Sequence, residues 1–208
     1  EVKMPETRRR KPIQERSQST VDAILTAAAR VLVERGYAKT STNRVAEVAG
    51  VSIGSLYQYF SNKDELILAV INRHAEGILD LLRTTMLDLG EGSIATTVRG
   101  FVDAMISAHA VDPKLHRICI EQILSMGLDR LLMLRSAAIQ LVHDYLNSRR
   151  DDIIITDTET AAYVLVVTVD SVIHSAFIGG EAPDLERLSQ EIVHLILRYL
   201  GISTEAAS

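Results

Sequence analysis

Several residue types are scarce in this chain of 208 residues, and each shortage excludes a class of protein. The single cysteine, Cys119, excludes a disulfide within one chain and fits a reducing cytoplasm. There is no tryptophan, and aromatic residues make up 4% of the chain, so few side chains can stack on a flat ligand. With 47% apolar residues and only four prolines, the chain has material for a core, and its length suits one small and one larger domain.

Long apolar runs are missing as well. The nearest candidate, residues 161–178, contains Asp170 and His174, and no segment reaches the roughly 20 apolar residues that a transmembrane helix requires. The first residues are polar and basic and lack the apolar core of a signal peptide. We therefore expect a cytoplasmic protein without a membrane partner.

Charge is divided unevenly along the chain. Residues 1–63 hold 11 Lys and Arg against 6 Asp and Glu, a net charge of +5, whereas the remaining residues hold 11 against 21, a net charge of −10. A basic beginning on an acidic body indicates that only one end of the molecule meets nucleic acid. The overall net charge of −5 hides this division.

Apolar residues that recur at three- and four-residue steps predict an all-α protein. Residues 1–18 are polar, and we expect a flexible basic arm. Ser19 with Asp22, and Ser61 with Asp64, resemble capping boxes at the starts of two helices. The predicted helices span residues 20–34, two short segments between 37 and 61, and then 62–89, 93–110, 113–127, 129–149, 157–177 and 184–200.

Residues 37–63 carry the most informative pattern, which predicts two short helices joined by a tight turn. Ser41 or Thr42 can cap the first helix, Gly50 can end it in a left-handed conformation, and Ser52 can cap the second. A second helix that turns small, polar and aromatic side chains outward can lie in the major groove, as in a helix-turn-helix. The apolar residues expected to face inward are Ile53, Leu56 and Phe60, and those expected to face outward are Gly54, Ser55, Gln58 and Tyr59.

A long, ordered motif fills the same segment. Residues 45–52 read Val-Ala-Glu-Val-Ala-Gly-Val-Ser, and residues 54–66 read Gly-Ser-Leu-Tyr-Gln-Tyr-Phe-Ser-Asn-Lys-Asp-Glu-Leu. From Val21 to Leu66 the chain resembles the DNA-binding domain of TetR-type transcriptional regulators. The resemblance implies a three-helix, helix-turn-helix DNA-binding domain over residues 19–66. It also implies a larger helical ligand-binding and dimerisation domain over residues 67–208.

The resemblance further implies contacts with double-stranded operator DNA. Tyr57 and Tyr59 match positions that contact phosphates or base edges, and Gln58 matches a base-reading position, where glutamine can pair with adenine. Gly54 allows close backbone approach, and Lys63 suits a phosphate. Each side chain also has a plainer interpretation as a packed or solvated surface residue, and the basic arm either reaches the minor groove or only aids solubility. The predicted DNA-binding residues are Thr42, Asn43, Ser52, Gly54, Ser55, Tyr57, Gln58, Tyr59 and Lys63.

The second domain is expected to bind an unknown small-molecule effector. Its Leu, Ile, Val and Met residues and its shortage of aromatics favour a neutral or weakly cationic, mainly aliphatic ligand. Such a ligand occupies a pocket of roughly a few hundred Å³. The predicted lining residues are Phe101, Met105, His109, Met126, His143, Tyr163 and His174.

The last two helices are expected to form a homodimer through a four-helix bundle. Each carries an apolar stripe, and the sequence leaves open which stripe faces the protomer's own core and which faces the partner. The stripes are Ala161, Val164, Leu165, Thr168 and Val172 on one helix, and Leu188, Ile192, Leu195, Ile196 and Tyr199 on the other.

Other chemistries find weaker support. Residues 50–54 match the Gly-x-Ser-x-Gly elbow of hydrolases, but that elbow requires a preceding strand, and here a helix precedes it. His109, His116 and Cys119 lie close in sequence but match no strong zinc spacing, so we expect hydrogen-bonding histidines, no metal site and no cofactor.

We therefore predict a regulator rather than an enzyme, a repressor that binds a palindromic operator as a dimer and that a ligand releases. The alternatives are a helical enzyme with an accessory DNA-binding head, an activator of the same fold, and a helix-turn-helix module that acts only through protein partners.

Overall fold

The structure, a computed structural model, describes residues 10–126, 129–178 and 184–203. Within these ranges the side chains of residues 10–16, 123–126, 129–131, 134 and 178 are not described. The described residues form helices and no strand, as predicted: α1 (Arg10–Lys39), α2 (Thr42–Ala49), α3 (Ile53–Tyr57), α4 (Lys63–Leu89), α5 (Ile94–Val111), α6 (Pro113–Met126), α7 (Asp129–Ser148), a short 3-10 helix (Arg150–Asp152), α8 (Thr158–Ile178) and α9 (Leu185–Leu200).

The chain divides into two compact units, and the first ends at Arg73. In this unit α2 packs against α1 and α3, and the core collects apolar side chains from all four helices. The fully buried members are Ile24, Ala28, Val31, Leu32, Val45, Leu56, Leu66 and Ile67. Burying this apolar surface is what stabilises α2 and α3, because helices of eight and five residues are too short to be stable alone.

The boundary between the units lies after the predicted one, which followed residue 66. The first turns of α4 belong to the first unit because Val70 and Ile71 are each only 1% exposed in its core. Arg73 also donates hydrogen bonds to the carbonyl of Asp22 (3.3 Å) and to the hydroxyl of Thr26 (3.2 Å).

Three local predictions in the first unit need correction. The helix α1 begins at Arg10, so the second half of the segment 1–18 is helical rather than an irregular arm, and Ser19 lies inside the helix instead of capping it. At the start of α4 the cap is Asn62, whose Oδ1 accepts the amide proton of Glu65 at 2.9 Å. Glu65 closes the box by accepting from the amide of Ser61 at 2.7 Å, so Asp64 has no part in it.

Gly36 marks the break that the sequence predicts after the first helix. Its φ of 71° is in the left-handed region, which glycine adopts without the steric cost of a Cβ atom. The hydroxyl of Thr40 then donates to the carbonyl of Gly36 at 2.8 Å, which occupies a group that the break leaves unpaired.

The second unit, His74–Ser208, has its core around α5, which packs against α6, α8 and α9, while α7 packs against α8. Ala161 and Ile173 on α8 are fully buried, and so is Leu200 on α9. By length and composition α8 is apolar enough to cross a membrane from Thr158 to Phe177. About 33% of the apolar window is buried inside the protein, including Ala161 and Ile173 in the core, and Asp170 and His174 interrupt the apolar run.

Candidate nucleic-acid interface and effector site

The turn between α2 and α3 has the geometry that the sequence predicts. Ser41 caps α2 by accepting from the amide of Arg44 at 3.3 Å. Gly50 ends α2 with a φ of 68°, and the amide of Val51 donates back to the carbonyl of Ala46 at 3.0 Å. Ser52 then caps α3. The angle between the two helices is therefore fixed by local backbone and cap hydrogen bonds.

The hydroxyls of Ser52 and Ser55 are engaged with each other. Ser52 Oγ accepts from the amide of Ser55 at 3.0 Å and lies 2.8 Å from its hydroxyl oxygen. Ser52 is exposed and Ser55 half-buried, so each hydroxyl keeps some capacity for an outside partner.

Gly54 is exposed on the same face, and nothing in the described part of the protein requires a glycine there. Its φ is not in the left-handed region. Among the described residues, a Cβ atom at this position would meet only Ser52 Oγ, at 3.9 Å, which is an ordinary contact distance.

Tyr57 links the two helices at the exposed face. Its ring is 51% exposed, and its hydroxyl lies 3.1 Å from Thr42 Oγ1, on the first residue of α2. Gln58 and Asn43 are exposed as well. These four side chains present hydrogen-bonding groups along one end of the helix pair.

Two predictions for α3 differ from the structure. Ile53, expected to face inward, is 38% exposed, because a helix of five residues covers the core only through Leu56 and the following Phe60. Tyr59, expected to point outward, is half-buried, and its hydroxyl accepts from Ser17 on α1 at 3.3 Å.

Lys63 has a partner that the sequence did not indicate. Its ammonium group donates to the carbonyl of Tyr37 at 3.1 Å and lies 3.9 Å above the centre of the Tyr37 ring. The Tyr37 hydroxyl in turn donates to the carboxylate of Asp64, and this hydrogen bond raises the pKa of the tyrosine. The ammonium is therefore positioned by a cation–π contact and keeps further N–H donors for an anion. Lys63 and Tyr37 lie 26 residues apart, too far for a helical spacing rule to reveal the pair.

The second unit contains an apolar pocket between α4, α5, α7, α8 and α9. Its lining residues are Met86, Thr97, Val98, Phe101, Val142, Tyr145, Leu146, Leu165, Val166, Val169, Ile196 and Leu200. The cavity volume is about 50 Å³, so a ligand larger than a few atoms requires side chains to move. Among the described residues the Tyr145 hydroxyl has no hydrogen-bond partner, although it is buried.

This pocket shares only Phe101 with the predicted lining. Tyr163 is 55% exposed, because α8 turns it away from the core, and Met105 packs in the apolar core at 7% exposure. His143 is half-buried on α7, with a ring nitrogen 3.0 Å from Asn147 Nδ2. Met126 lies outside the described side chains.

The last two predicted lining residues, His109 and His174, lie in a histidine cluster together with His116. The prediction of no metal site considered His109, His116 and Cys119 within one sequence segment. In the structure the third member of the cluster is His174 on α8, and Cys119 is not part of the cluster. Burial raises the pKa of the Cys119 thiol to about 12, which leaves it protonated and a poor ligand.

Two family models match most of this chain. The model described as bacterial regulatory proteins, tetR family, matches residues 24–70, which contain α2, α3 and the residues around them. The model described as tetracyclin repressor-like, C-terminal domain, matches residues 93–200, which is half of the chain or more.

Curated relatives match over part of the chain. The HTH-type transcriptional activator FasR of Mycolicibacterium smegmatis is 47% identical over 66 residues, which are 30% of this chain and 30% of that protein. The match thus spans less than a third of the relative's length.

Solved structures match over almost the whole chain. The fatty acid degradation regulator FadR of Bacillus halodurans superposes with a TM-score of 0.68 at 23% identity, over 86% of this chain and 94% of that one. SmeT, the repressor of the Stenotrophomonas maltophilia multidrug efflux pump SmeDEF, superposes with a TM-score of 0.68 at 24% identity, over 92% of this chain and 95% of that one. A SmeT–triclosan complex superposes with a TM-score of 0.69 at 23% identity. At these identities the likeness shows the fold. Together with the two family models, it establishes that the chain belongs to the TetR family of bacterial regulatory proteins.

Proposed function

We propose that the chain is a cytoplasmic transcriptional repressor that binds a palindromic DNA operator as a homodimer and is released by a small-molecule effector. The observation that carries the DNA-binding part is the exposed face of α3. Gly54 lies there without an internal need for glycine, beside the exposed side chains of Tyr57 and Gln58. A side chain at position 54 would be harmless inside the protein, so its absence serves close approach by an outside molecule.

The proposed DNA contacts follow from where these groups lie. Gln58 is exposed just after α3 and reads base edges in the major groove. Tyr57, Tyr59 and Lys63 bind phosphates and fix the register of the helix on the duplex. Tyr59 is half-buried, but its hydroxyl only accepts from Ser17 and keeps its own O–H donor for a phosphate. The amides at the start of α2, next to Thr42 and Asn43, face a phosphate, because a helix N-terminus favours an anion. Ser52, Gly54 and Ser55 provide close backbone approach and hydroxyl donors.

The homodimer rests on apolar side chains that the protomer leaves exposed. Val164 (40%) and Val172 (37%) on α8, and Leu195 (49%) and Tyr199 (36%) on α9, belong to the predicted stripes. Ala161, Leu165, Ile192 and Ile196 on the same helices are buried in the protomer's own core. The exposed half of each stripe is thus the half that faces a partner, since large exposed apolar patches mark interfaces.

The effector is proposed to enter the apolar pocket beside Phe101. Its lining is almost entirely aliphatic and aromatic, and the unpaired hydroxyl of Tyr145 offers one hydrogen bond. A mainly aliphatic, neutral molecule with one polar group therefore fits best. The effector binds more tightly to a conformer in which the two DNA-binding units of the dimer have a different separation. That conformer binds the operator more weakly, so the effector lowers operator affinity by the ratio of its own affinities for the two conformers.

The hydrolase interpretation of residues 50–54 finds no support in the surroundings of Ser52. Ser52 caps a helix and bonds to Ser55, and a left-handed helix end rather than a strand precedes it. A transcriptional activator of the same fold is the second candidate, because the relative FasR is described as a transcriptional activator. Both regulators bind DNA, and they differ in whether occupancy of the operator lowers or raises transcription.

Operator selection from a random duplex library tests the proposal. We expect a palindromic site with half-sites about 34–36 Å apart and affinity that falls steeply as salt rises. Transcription from a reporter with that site then separates repressor from activator. If no duplex is enriched over a library without protein, the DNA-binding proposal is overturned.

A further inference from the structure

Four histidines from four helices meet inside the second unit. His74 lies on α4, His109 on α5, His116 on α6 and His174 on α8. The rings of His109 and His116 are 4.2 Å apart between centroids, those of His116 and His174 are 4.8 Å apart, and those of His109 and His174 are 5.0 Å apart. His109 and His116 are 1% and 3% exposed. Gathering this many imidazoles away from water is costly unless something binds them.

Hydrogen bonds to backbone carbonyls fix which ring nitrogen carries the proton in His109 and His174. His109 Nδ1 donates to the carbonyl of Met105 at 2.6 Å, and His174 Nδ1 donates to the carbonyl of Asp170 at 2.7 Å. A carbonyl oxygen only accepts, so in the neutral ring the lone pair lies on Nε2 in both cases. His116 Nδ1 shares a proton with His74 Nε2 at 3.0 Å. When His116 is the donor of this bond, its Nε2 also carries a lone pair.

The three Nε2 atoms have no use inside the described part of the protein. Those of His109, His116 and His174 are all buried, and none finds a hydrogen-bond partner among the described residues. One ring nitrogen from each histidine lies within 4.8 Å of the others. Nitrogens bound to one tetrahedral zinc ion are about 3.3 Å apart, so a small rotation of the rings closes the set.

We propose that His109, His116 and His174 form a binding site for a divalent transition-metal ion of the zinc class, with a fourth position open to water or to an outside ligand. Imidazole suits ions of this kind, and three neutral histidines with one open position are a common zinc arrangement. The site is separate from the proposed effector pocket, and it rests on its own geometry rather than on the proposed function.

The groups around the cluster have the form of an outer shell. Metal-bound histidines usually donate their other ring nitrogen to a carbonyl or carboxylate, which orients the ring. His109 does so to Met105. His174 lies 3.1 Å from the carboxylate of Asp170, which is itself 3.3 Å from the guanidinium of Arg135. The His174 side chain is 18% exposed, so the cluster lies near the protein surface at this residue.

Protonation leaves most of the site ready for a cation. Burial lowers the pKa of His109 to about 4 and that of His116 to about 3, so both rings are neutral at neutral pH. Burial also lowers the pKa of His174, but the hydrogen bond and charge of Asp170 outweigh it and raise the pKa overall. At this third ligand the metal ion competes with a proton.

The test begins with the unmodified full chain, without DNA. Equilibrium dialysis against Zn²⁺ followed by elemental analysis should give one ion per chain. Co²⁺ should give the visible absorption of a four-coordinate ion without a sulfur-to-cobalt band, since Cys119 is not a ligand. At a Zn²⁺ concentration 100 times the Kd, the unfolding equilibrium constant should fall about 100-fold. Absence of both stoichiometric zinc and the cobalt spectrum overturns the proposal.

Matched histidine variants locate the site. His109→Gln, His116→Gln and His174→Gln should each lose the cobalt spectrum, whereas His143→Gln and His194→Gln, outside the cluster, should keep it. Asp170→Asn should weaken zinc binding about 10–100-fold. Circular dichroism of the metal-free variants checks that they fold. If the folded cluster variants keep wild-type affinity, or if the two control variants lose the spectrum, the site is not the one proposed. Operator binding plays no part in these measurements, so their failure leaves the regulator proposal standing.

Discussion

The candidate sites of the two units draw on very different lengths of chain, residues 42–63 in the first unit and residues 109–174 in the second. In the first unit, Ser41 and Ser52 each cap a helix by binding an amide three residues later. In the second, His74 meets His116 across 42 residues, and Arg135 meets Asp170 across 35. A surface built from residues that are close in sequence can be recognised from a linear motif. A cavity built between helices depends on how those helices pack, and it has no local signature.

The difference extends to what the polar groups are bonded to. The hydroxyls of the first unit mostly bond to each other or to backbone, as in the contacts of Thr42 with Tyr57 and of Ser52 with Ser55. In the second unit, buried groups lack partners among the described residues, namely the Tyr145 hydroxyl and three histidine nitrogens. Buried polar groups without partners are uncommon and call for a binding partner. Among the described residues one such group, Arg44 Nε, lies in the first unit and four lie in the second, so it is mainly the interior of the second unit that calls for a ligand.

The largest expected effect tests whether the two units are energetically separate. Leu56 is fully buried in the first unit, and Leu56→Ala should destabilise that unit by about 2–5 kcal/mol through lost burial and a cavity. Calorimetry should show one transition lowered, operator binding lost and the cobalt spectrum of the second unit retained. Leu197→Ala, at a site 1% exposed on α9, should lower the other transition instead. A single transition that both variants lower equally would contradict separate units.

The second effect concerns the proposed dimer face of α8 and α9. Leu195 and Tyr199 are 49% and 36% exposed in the protomer, and Glu at both positions would bury unpaired charge on association. Each buried, unpaired polar group costs about 1–3 kcal/mol, so the double variant should sediment as a monomer. Leu87→Glu is the matched control, because Leu87 is 81% exposed and lies on α4. A dimer that persists in the double variant excludes this face.

In both units the sequence predicts the features that local signals determine and misses those that depend on packing. The helix ends at Gly50 and Gly201 are confirmed because a left-handed residue after a helix is a local signal. Ile53 was placed wrongly, because periodicity does not reveal that α3 has only five residues. The pairing of Lys63 with Tyr37, the pocket around Tyr145 and the meeting of His109 with His174 all depend on tertiary packing. No spacing rule within one helix reports such contacts.

A smaller effect separates base reading from backbone contact within the first unit. Gln58→Ala should relax the preference at particular base pairs by about 1–3 kcal/mol. Tyr59→Ala should weaken binding to all sequences alike, and Lys63→Ala should also reduce the slope of affinity against salt by about one. Binding to a randomised operator library measures both kinds of change. An unchanged site preference in Gln58→Ala would remove its base-reading role.

The smallest effect concerns the unpaired hydroxyl in the pocket of the second unit. Because the Tyr145 hydroxyl is buried without a partner among the described residues, Tyr145→Phe should stabilise the ligand-free protein by roughly 1 kcal/mol. The same variant should bind 1-octanol, a simple aliphatic alcohol, more weakly by about 0.5–1.5 kcal/mol, since a hydrogen bond is lost. Tyr163→Phe, at a ring 55% exposed on α8, should change neither quantity. Thermal unfolding with and without the alcohol measures both. A variant that binds the alcohol as tightly as the parent would show that this hydroxyl does not contact the ligand, and the polar end of the effector must then be sought elsewhere in the pocket.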